Sequence, residues 1–276
     1  MTDKATVDLS GAAQTMLTTL YLKALDAEGP APVLGDRFAR DTVAGLDYDW
    51  DTLGVGRGWA PLVTVRTALY DSWAREFLER NPEATVVHLG CGLDSRVFRL
   101  DPGPEVRWFD VDFPRVIALR EQVYPARDGY RLLASSATDT AWLEEIPADR
   151  PTLFLAEGIS MYLTASEGAD LLQRIVDRFP RGELQIDFYS RLTIASQRLH
   201  KLNRTTGSTL HWGVDRPSDV LGAVTGIRPL DAVTFFDAET FDESSRGFRA
   251  ARRVARVLPP LRRSLQYHRY GFGPID

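Results

Sequence analysis

The spacing of apolar residues changes character near residue 80 of this 276-residue chain. Before that point it is helical. Leu17, Leu20, Tyr21, Ala24 and Leu25 share one face of a helix expected from Thr6 to Ala27, which Pro30 and Pro32 end. A short helix is expected over Asp36–Leu46, a loop rich in glycine and aspartate over Asp47–Gly58, and a long helix over Pro61–Glu79. After residue 80 come short apolar, β-branched runs at Thr85–Leu89, Val106–Val111, Thr152–Ala156 and Leu184–Phe188. Helical patterns lie between most of them, at Asp94–Leu100, Pro114–Tyr124, Thr140–Glu145 and Ser166–Phe179. Strands alternating with helices imply parallel pairing, so the expected fold class is α/β with a doubly wound, Rossmann-like sheet. The stretch from Asp187 to Asp219 reads as helical and then irregular, and late strands are expected at Val233–Phe236 and Tyr267–Phe272. The expected organisation is one domain: a helical N-terminal cover (1–80), an α/β core (81–190) and a mixed C-terminal segment on the substrate side (191–276).

Composition narrows the function. Hydrophobic content of 44% and charged content of 26% are ordinary for a globular protein. A net charge of −5 argues against a nucleic-acid partner, and the basic clusters Arg252-Arg253-Arg256 and Arg262-Arg263 read as a solvated helix face. No apolar run reaches the roughly 18 residues of a membrane span, so no membrane partner is expected. Met1–Ser10 lacks the layout of a signal peptide, and a cytoplasmic location is expected. The single cysteine, Cys91, rules out an internal disulfide and a cysteine-based zinc site, and no metal is expected.

The chemistry concentrates at Val86-Val-His-Leu-Gly90-Cys-Gly92-Leu-Asp94-Ser-Arg96, which reads as strand, tight glycine turn and helix start. Glycines allow a sharp bend and close approach to a ligand. A dinucleotide fingerprint would put a third glycine where Ser95 stands, and Asp94 would oppose a phosphate at the helix end. S-adenosylmethionine carries no phosphate, and its diol, sulfonium, ammonium and carboxylate each find a partner type in the chain. Asp110 and Asp112 end the second strand about twenty residues past Gly90, where a ribose-binding carboxylate is expected. Asp112, at the strand-to-helix turn, is the chosen one. Glu157, at the end of the third apolar run, is placed to meet the ammonium or the sulfonium.

Taken together, three pieces resemble the leucine carboxyl methyltransferase family: Gly90-Cys-Gly-Leu-Asp-Ser-Arg96, Asp110-Val-Asp-Phe-Pro114 and Ala156-Glu-Gly-Ile-Ser-Met-Tyr-Leu163. Arg66-Thr-Ala-Leu-Tyr-Asp71 looks like that family's N-terminal arginine segment. Ser135-Ser-Ala-Thr-Asp-Thr-Ala-Trp142 and His211-Trp-Gly-Val214 place the chain nearest the bacterial branch that methylates polyketides and other small metabolites. The resemblance implies a fold with S-adenosylmethionine as cofactor, Arg66 on the cofactor carboxylate with Lys23 assisting, and an adenine contact. Many relatives have Asp-Leu at that contact; Ser136-Ala137 stands here.

A carboxylate acceptor, with a pKa near 4, is already ionised at neutral pH, whereas a phenol near 10 gains from a base. Of the histidines, only His211 lies in an irregular segment able to border a substrate; His88, His200 and His268 lie in expected regular structure or near the C-terminus. No His–Asp pairing is evident, which favours a small-molecule carboxylic acid as substrate. Tyr162 and Arg191 are the other expected substrate-side residues, and Trp50, Trp59, Tyr189 and Trp212 candidate walls. A phenol O-methyltransferase, a methyltransferase acting on a protein's terminal carboxyl, and a non-catalytic metabolite-binding protein remain as alternatives. Oligomeric state is undetermined by the sequence.

Overall fold

A computed structural model describes residues 5–6, 12–197, 209–240 and 246–274. The first long helix, α1 (Ala12–Ala27), begins later than expected. Ala5–Thr6 is instead extended and pairs in parallel with Leu46–Asp47; residues 7–11 of the expected helix lie outside the described residues. His200 also lies outside them. Helix α2 (Arg37–Gly45) starts where Asp36 accepts a hydrogen bond from the Ala39 N–H. Two 3₁₀ turns, Trp50–Leu53 and Arg57–Trp59, occupy the expected loop, and Pro61 opens the 20-residue helix α3 (Pro61–Arg80).

Seven strands follow: β1 (Thr85–Leu89), β2 (Arg107–Asp112), β3 (Tyr130–Ala134), β4 (Thr152–Ala156), β5 (Gly182–Tyr189), β6 (Ile227–Thr234) and β7 (Leu265–Phe272). Between them run α4 (Arg96–Leu100), α5 (Pro114–Val123), α6 (Ala141–Glu144), α7 (Ala165–Arg178), α8 (Arg191–Ala195), α9 (Pro217–Leu221), α10 (Arg246–Val257) and α11 (Pro259–Arg262). The strand order is β3-β2-β1-β4-β5-β7-β6. The first five are parallel, and β7 runs antiparallel to both neighbours. Strands β6 and β7 complete the sheet: β7 contains the late strand expected at Tyr267–Phe272, and β6 begins and ends earlier than the one expected at Val233–Phe236. Strand β3 was not anticipated: at the sheet edge it needs only one apolar face, and of its five residues only Leu133 is fully buried.

Alternation along the strands divides the core. Val87, Leu89, Phe109, Val111, Phe154 and Ile186 face α6, α7 and α9 on one side. Val86, Trp108, Leu153, Leu155 and Tyr267 face α3 on the other. A third cluster, including Leu17, Leu20, Ala39, Leu93 and Leu119, fixes α1 and α2 over the loop after β1. The C-terminal basic cluster lies on α10 and α11, where Arg256 and Arg262 both pair with Asp237, at 2.9 and 2.7 Å. Among the described residues no helix is long and apolar enough to cross a membrane.

One buried histidine ties the sheet to pH. His268 on β7 is fully buried, with Nδ1 2.8 Å from the Tyr270 hydroxyl. Burial pulls its imidazole down to about 4, with Asp219 acting weakly the other way. The unfolded chain, near 6.5, takes a proton that the folded one refuses. Stability is therefore expected to be full above about pH 6.5 and to fall toward pH 4 by up to about 3 kcal/mol. Urea titrations at pH 7.5 and 4.5 should show His268→Gln losing less on acidification than wild type; equal losses would disprove this role.

Candidate active site

The chain turns in opposite directions from β1, through β2 and β3 on one side and β4 and β5 on the other. This leaves a crevice above the carboxyl ends of β1 and β4, the usual ligand position in open α/β sheets. The loop Gly90-Cys91-Gly92 leaves β1 there. Gly90 and Gly92 have φ of 61° and 51°, the left-handed region that favours glycine. A side chain at Gly90 would collide with Ile159, and at Gly92 a Cβ would lie 2.8 Å from Cγ of Met16 on α1. Arg120 braces the loop from below, donating to the carbonyls of Gly92 and Asp94 at 2.8 and 2.9 Å. Cys91 is buried, and burial pushes its thiol up, so it stays a protonated packing residue.

The two aspartates of β2 have separate fates. Asp110 is buried and holds Arg120, the Tyr130 hydroxyl (2.6 Å) and the Trp108 indole N–H (2.8 Å). Asp112 stands half-buried at the crevice. It accepts from the Gly92 N–H at 2.7 Å and from the Phe113 N–H at 2.7 Å. Burial raises its carboxyl, and those two backbone donors oppose the rise. The Asp112 carbonyl also accepts from the Ser135 N–H at 2.9 Å, which brings the segment after β3 to the same place. There the Ser136 hydroxyl pairs with that of Thr138 at 2.9 Å, and Ala137 packs on the core.

On the β4 side, Glu157 accepts from Arg66 Nε (2.9 Å), the Thr67 hydroxyl (2.8 Å) and Arg96 Nη2. Burial alone would raise its carboxyl, but Arg66 and Arg96 hold it well below the usual carboxylate range. Arg66 also donates to Asp187 at 2.7 Å, and the Gly158 N–H donates to the second oxygen of Asp187 at 2.8 Å. Asp187 was not singled out from the sequence, although a carboxylate inside an apolar strand run was the available signal. Lys23 reaches down from α1 to Asp94 at 2.8 Å. Asp94 also meets Arg99 at 3.1 Å, and Arg99 joins Asp71 and Asp36 at 2.6 and 2.8 Å. The charge of Asp94, expected to repel phosphate at the helix start, is thus matched by cations, and α4 begins two residues later, at Arg96.

The substrate-side candidates divide. Tyr162 is half-buried on a 3₁₀ turn, Ser160–Tyr162, and the His211 N–H donates to the Met161 carbonyl at 2.7 Å, so the two residues share one rim. Arg191 is matched by Asp215 and Asp219 at 3.4 and 3.2 Å, the solvated arrangement rather than a waiting anion site. Of the expected aromatic walls, Trp212 is core, packed on Phe188 and Gly168. Trp50 stacks on Tyr21, and Trp59 is exposed. Tyr189 stays beside Arg66, whose charge pulls down a phenol that burial raises. A His–Asp pair does exist, His88 Nδ1 lying 3.6 Å from Asp110, but both are buried in the sheet below the loop.

Comparison with known proteins gives the chain its family. Residues 17–176 match the model of the family described as leucine carboxyl methyltransferase. The chain belongs to that family. It is 37% identical over 267 residues to the tetracenomycin polyketide synthesis O-methyltransferase TcmP of Streptomyces glaucescens, covering 97% of this chain and 99% of that one. It is 36% identical to the S-adenosyl-L-methionine-dependent methyltransferase dpfgK of Gibberella zeae, covering 82% and 83%. Among solved structures, a duf574 family protein from Streptomyces avermitilis superposes with a TM-score of 0.61 at 12% identity, covering 92% of this chain and 97% of that one. The plantazolicin methyltransferase BamL, solved with a triazolic desmethylPZN analog and SAH, gives 0.52 at 9%, covering 95% and 99%. At these identities the structures speak for the fold alone, and the fold is that of S-adenosylmethionine-dependent methyltransferases. The protein is thus an S-adenosylmethionine-dependent O-methyltransferase related to polyketide methyltransferases. The site's own features fit that cofactor. The loop admits only glycines at Gly90 and Gly92, and Asp112 presents an acceptor for a diol.

Proposed function

We propose that this methyltransferase forms a methyl ester on the carboxyl group of a small metabolite, a polyketide acid or a small organic acid. One observation carries the proposal: among the described residues the buried part of the crevice offers cations and phenols, and each of its carboxylates is already engaged by an arginine or by backbone N–H groups. His88 and His268 are buried, and Glu157 and Asp187 are tied to arginines. His211 is exposed at the rim. Such a site suits an acceptor that arrives already ionised. The name of the tetracenomycin relative supports a polyketide as the acceptor.

The cofactor, when bound, supplies an electrophilic methyl group. Asp112 holds the ribose diol, and Ser136 with Ala137 borders the adenine. Gly90, Cys91 and Gly92 form the floor through their backbone. Arg66 turns toward the cofactor carboxylate with Lys23 beside it, while Glu157 faces the ammonium. Helix α1, through Met16 and Lys23, closes the loop side against water, which raises the strength of every charge inside. Tyr162 orients the acceptor carboxylate by its hydroxyl, and His211 lines the same rim. Catalysis is then alignment and water exclusion, without proton abstraction.

The test is transfer of labelled methyl to matched carboxylic and phenolic polyketide compounds, followed by mild alkali. Label in an alkali-labile ester is expected, with a rate nearly flat from about pH 6 to 8.5, since a carboxyl near 4 is ionised throughout. Alkali-stable label and a rate rising toward high pH would replace this proposal with phenol methylation. His211, exposed on the rim it shares with Tyr162, would then be the base to test.

A further inference from the structure

The ion pairs beneath the crevice form one connected array. Its carboxylates are Asp36, Asp71, Asp94, Glu157 and Asp187. Its cations are Lys23, Arg66, Arg96 and Arg99. It runs from α1 through α3 and α4 to β5, and none of its side chains is more than 11% exposed. The one adjoining histidine adds no charge: His88 Nε2 lies 3.3 Å from Arg96 Nη1, and a guanidinium only donates, so that nitrogen carries its lone pair. Arg120 is matched by Asp110. Among the described residues, five negative charges therefore face four positive ones in a place that water and salt barely reach, and Asp112 at the mouth adds to the same sign.

A buried excess charge is costly unless something completes it. S-adenosylmethionine, with a sulfonium, an ammonium and a carboxylate, carries a net charge of +1. S-adenosylhomocysteine, having lost the sulfonium, carries none. We propose that the buried array, one positive charge short of neutrality, selects the cationic cofactor over its neutral product and so drives product release. This rests on the cofactor seat assigned above. The array does not need to touch the sulfonium to do it. One charge acting over about 7 Å at an effective dielectric near 20 changes an affinity by a factor of about 50. Glu157 and Asp94 are kept well below the ordinary carboxylate range by their arginines and Lys23, against the opposing effect of burial; burial pushes the Asp187 carboxyl up, and Arg66 with the Gly158 N–H opposes that rise.

The test is calorimetric titration of the full chain with three ligands of nearly one shape: S-adenosylmethionine, sinefungin and S-adenosylhomocysteine. Sinefungin carries an ammonium where the cofactor has its sulfonium, so it separates charge from the reactive methyl. Both cations are expected to bind at least tenfold more tightly than S-adenosylhomocysteine. Asp36→Asn removes one negative charge at the far edge of the array and keeps a good helix cap; it should lower that ratio at least threefold. Lys23→Met adds a net negative charge and should raise it. S-adenosylhomocysteine binding as tightly as the two cations, or a ratio that neither variant moves, would overturn the proposal. Binding of none of the three would instead count against the cofactor seat itself.

Discussion

Arg66→Ala is expected to cost the protein about 3–5 kcal/mol of unfolding free energy and to weaken S-adenosylhomocysteine binding at least tenfold. Both effects come from one geometry. Arg66 pairs with Glu157 at 2.9 Å and with Asp187 at 2.7 Å, and its side chain is 11% exposed. Removing it strands two buried carboxylates, which is far worse than losing a surface pair. Arg66→Lys should recover part of the stability and little of the affinity, because an ammonium cannot span two carboxylates and still present a fork to a third. Urea unfolding and calorimetry on the three proteins check this. If Arg66→Ala unfolds like wild type, the ion pairs are not structural. If it binds S-adenosylhomocysteine like wild type, Arg66 does not hold the cofactor carboxylate.

Asp112→Ala is expected to lower cofactor affinity by about 10- to 100-fold, the range for a charged hydrogen-bond acceptor, while costing about 1 kcal/mol of stability. The carboxylate is half-buried at the crevice and bonded to two backbone N–H groups, so water can replace it for them. Asp110, two residues earlier on the same strand, should behave in the opposite way. Asp110→Asn leaves the buried guanidinium of Arg120 without its counter-charge, so a large loss of stability is expected with little specific effect on the ligand. A thermal melt and a titration of each variant separate the two. Equal binding losses in both would show that β2 acts as a unit and that Asp112 has no role of its own.

Much of this was legible in the residues alone. The strand runs Thr85–Leu89 and Thr152–Ala156 coincide with β1 and β4, because strands buried on both faces are written as unbroken apolar sequence. The glycine loop was legible because left-handed backbone and close contact exclude other residues. Strand β3 was not, since an edge strand needs only half a pattern. The sequence also put forward Arg66, Asp112 and Glu157 as candidate cofactor ligands, through places at strand ends and in family motifs, and the fold brings all three to the same crevice.

Which charges neutralise which was decided only by the tertiary structure. Lys23 and Asp94 are 71 positions apart, Arg66 and Asp187 121 positions, and they meet at hydrogen-bond distance. No local pattern encodes such a pairing. The same folding consigned Asp110 to the core and matched Arg191, a substrate-side candidate on the sequence, with neighbouring acids. Periodicity and glycine placement are properties of short stretches, so they survive in the sequence. Ion pairing is a property of closure in three dimensions, where the cost of burying a charge depends on what arrives beside it.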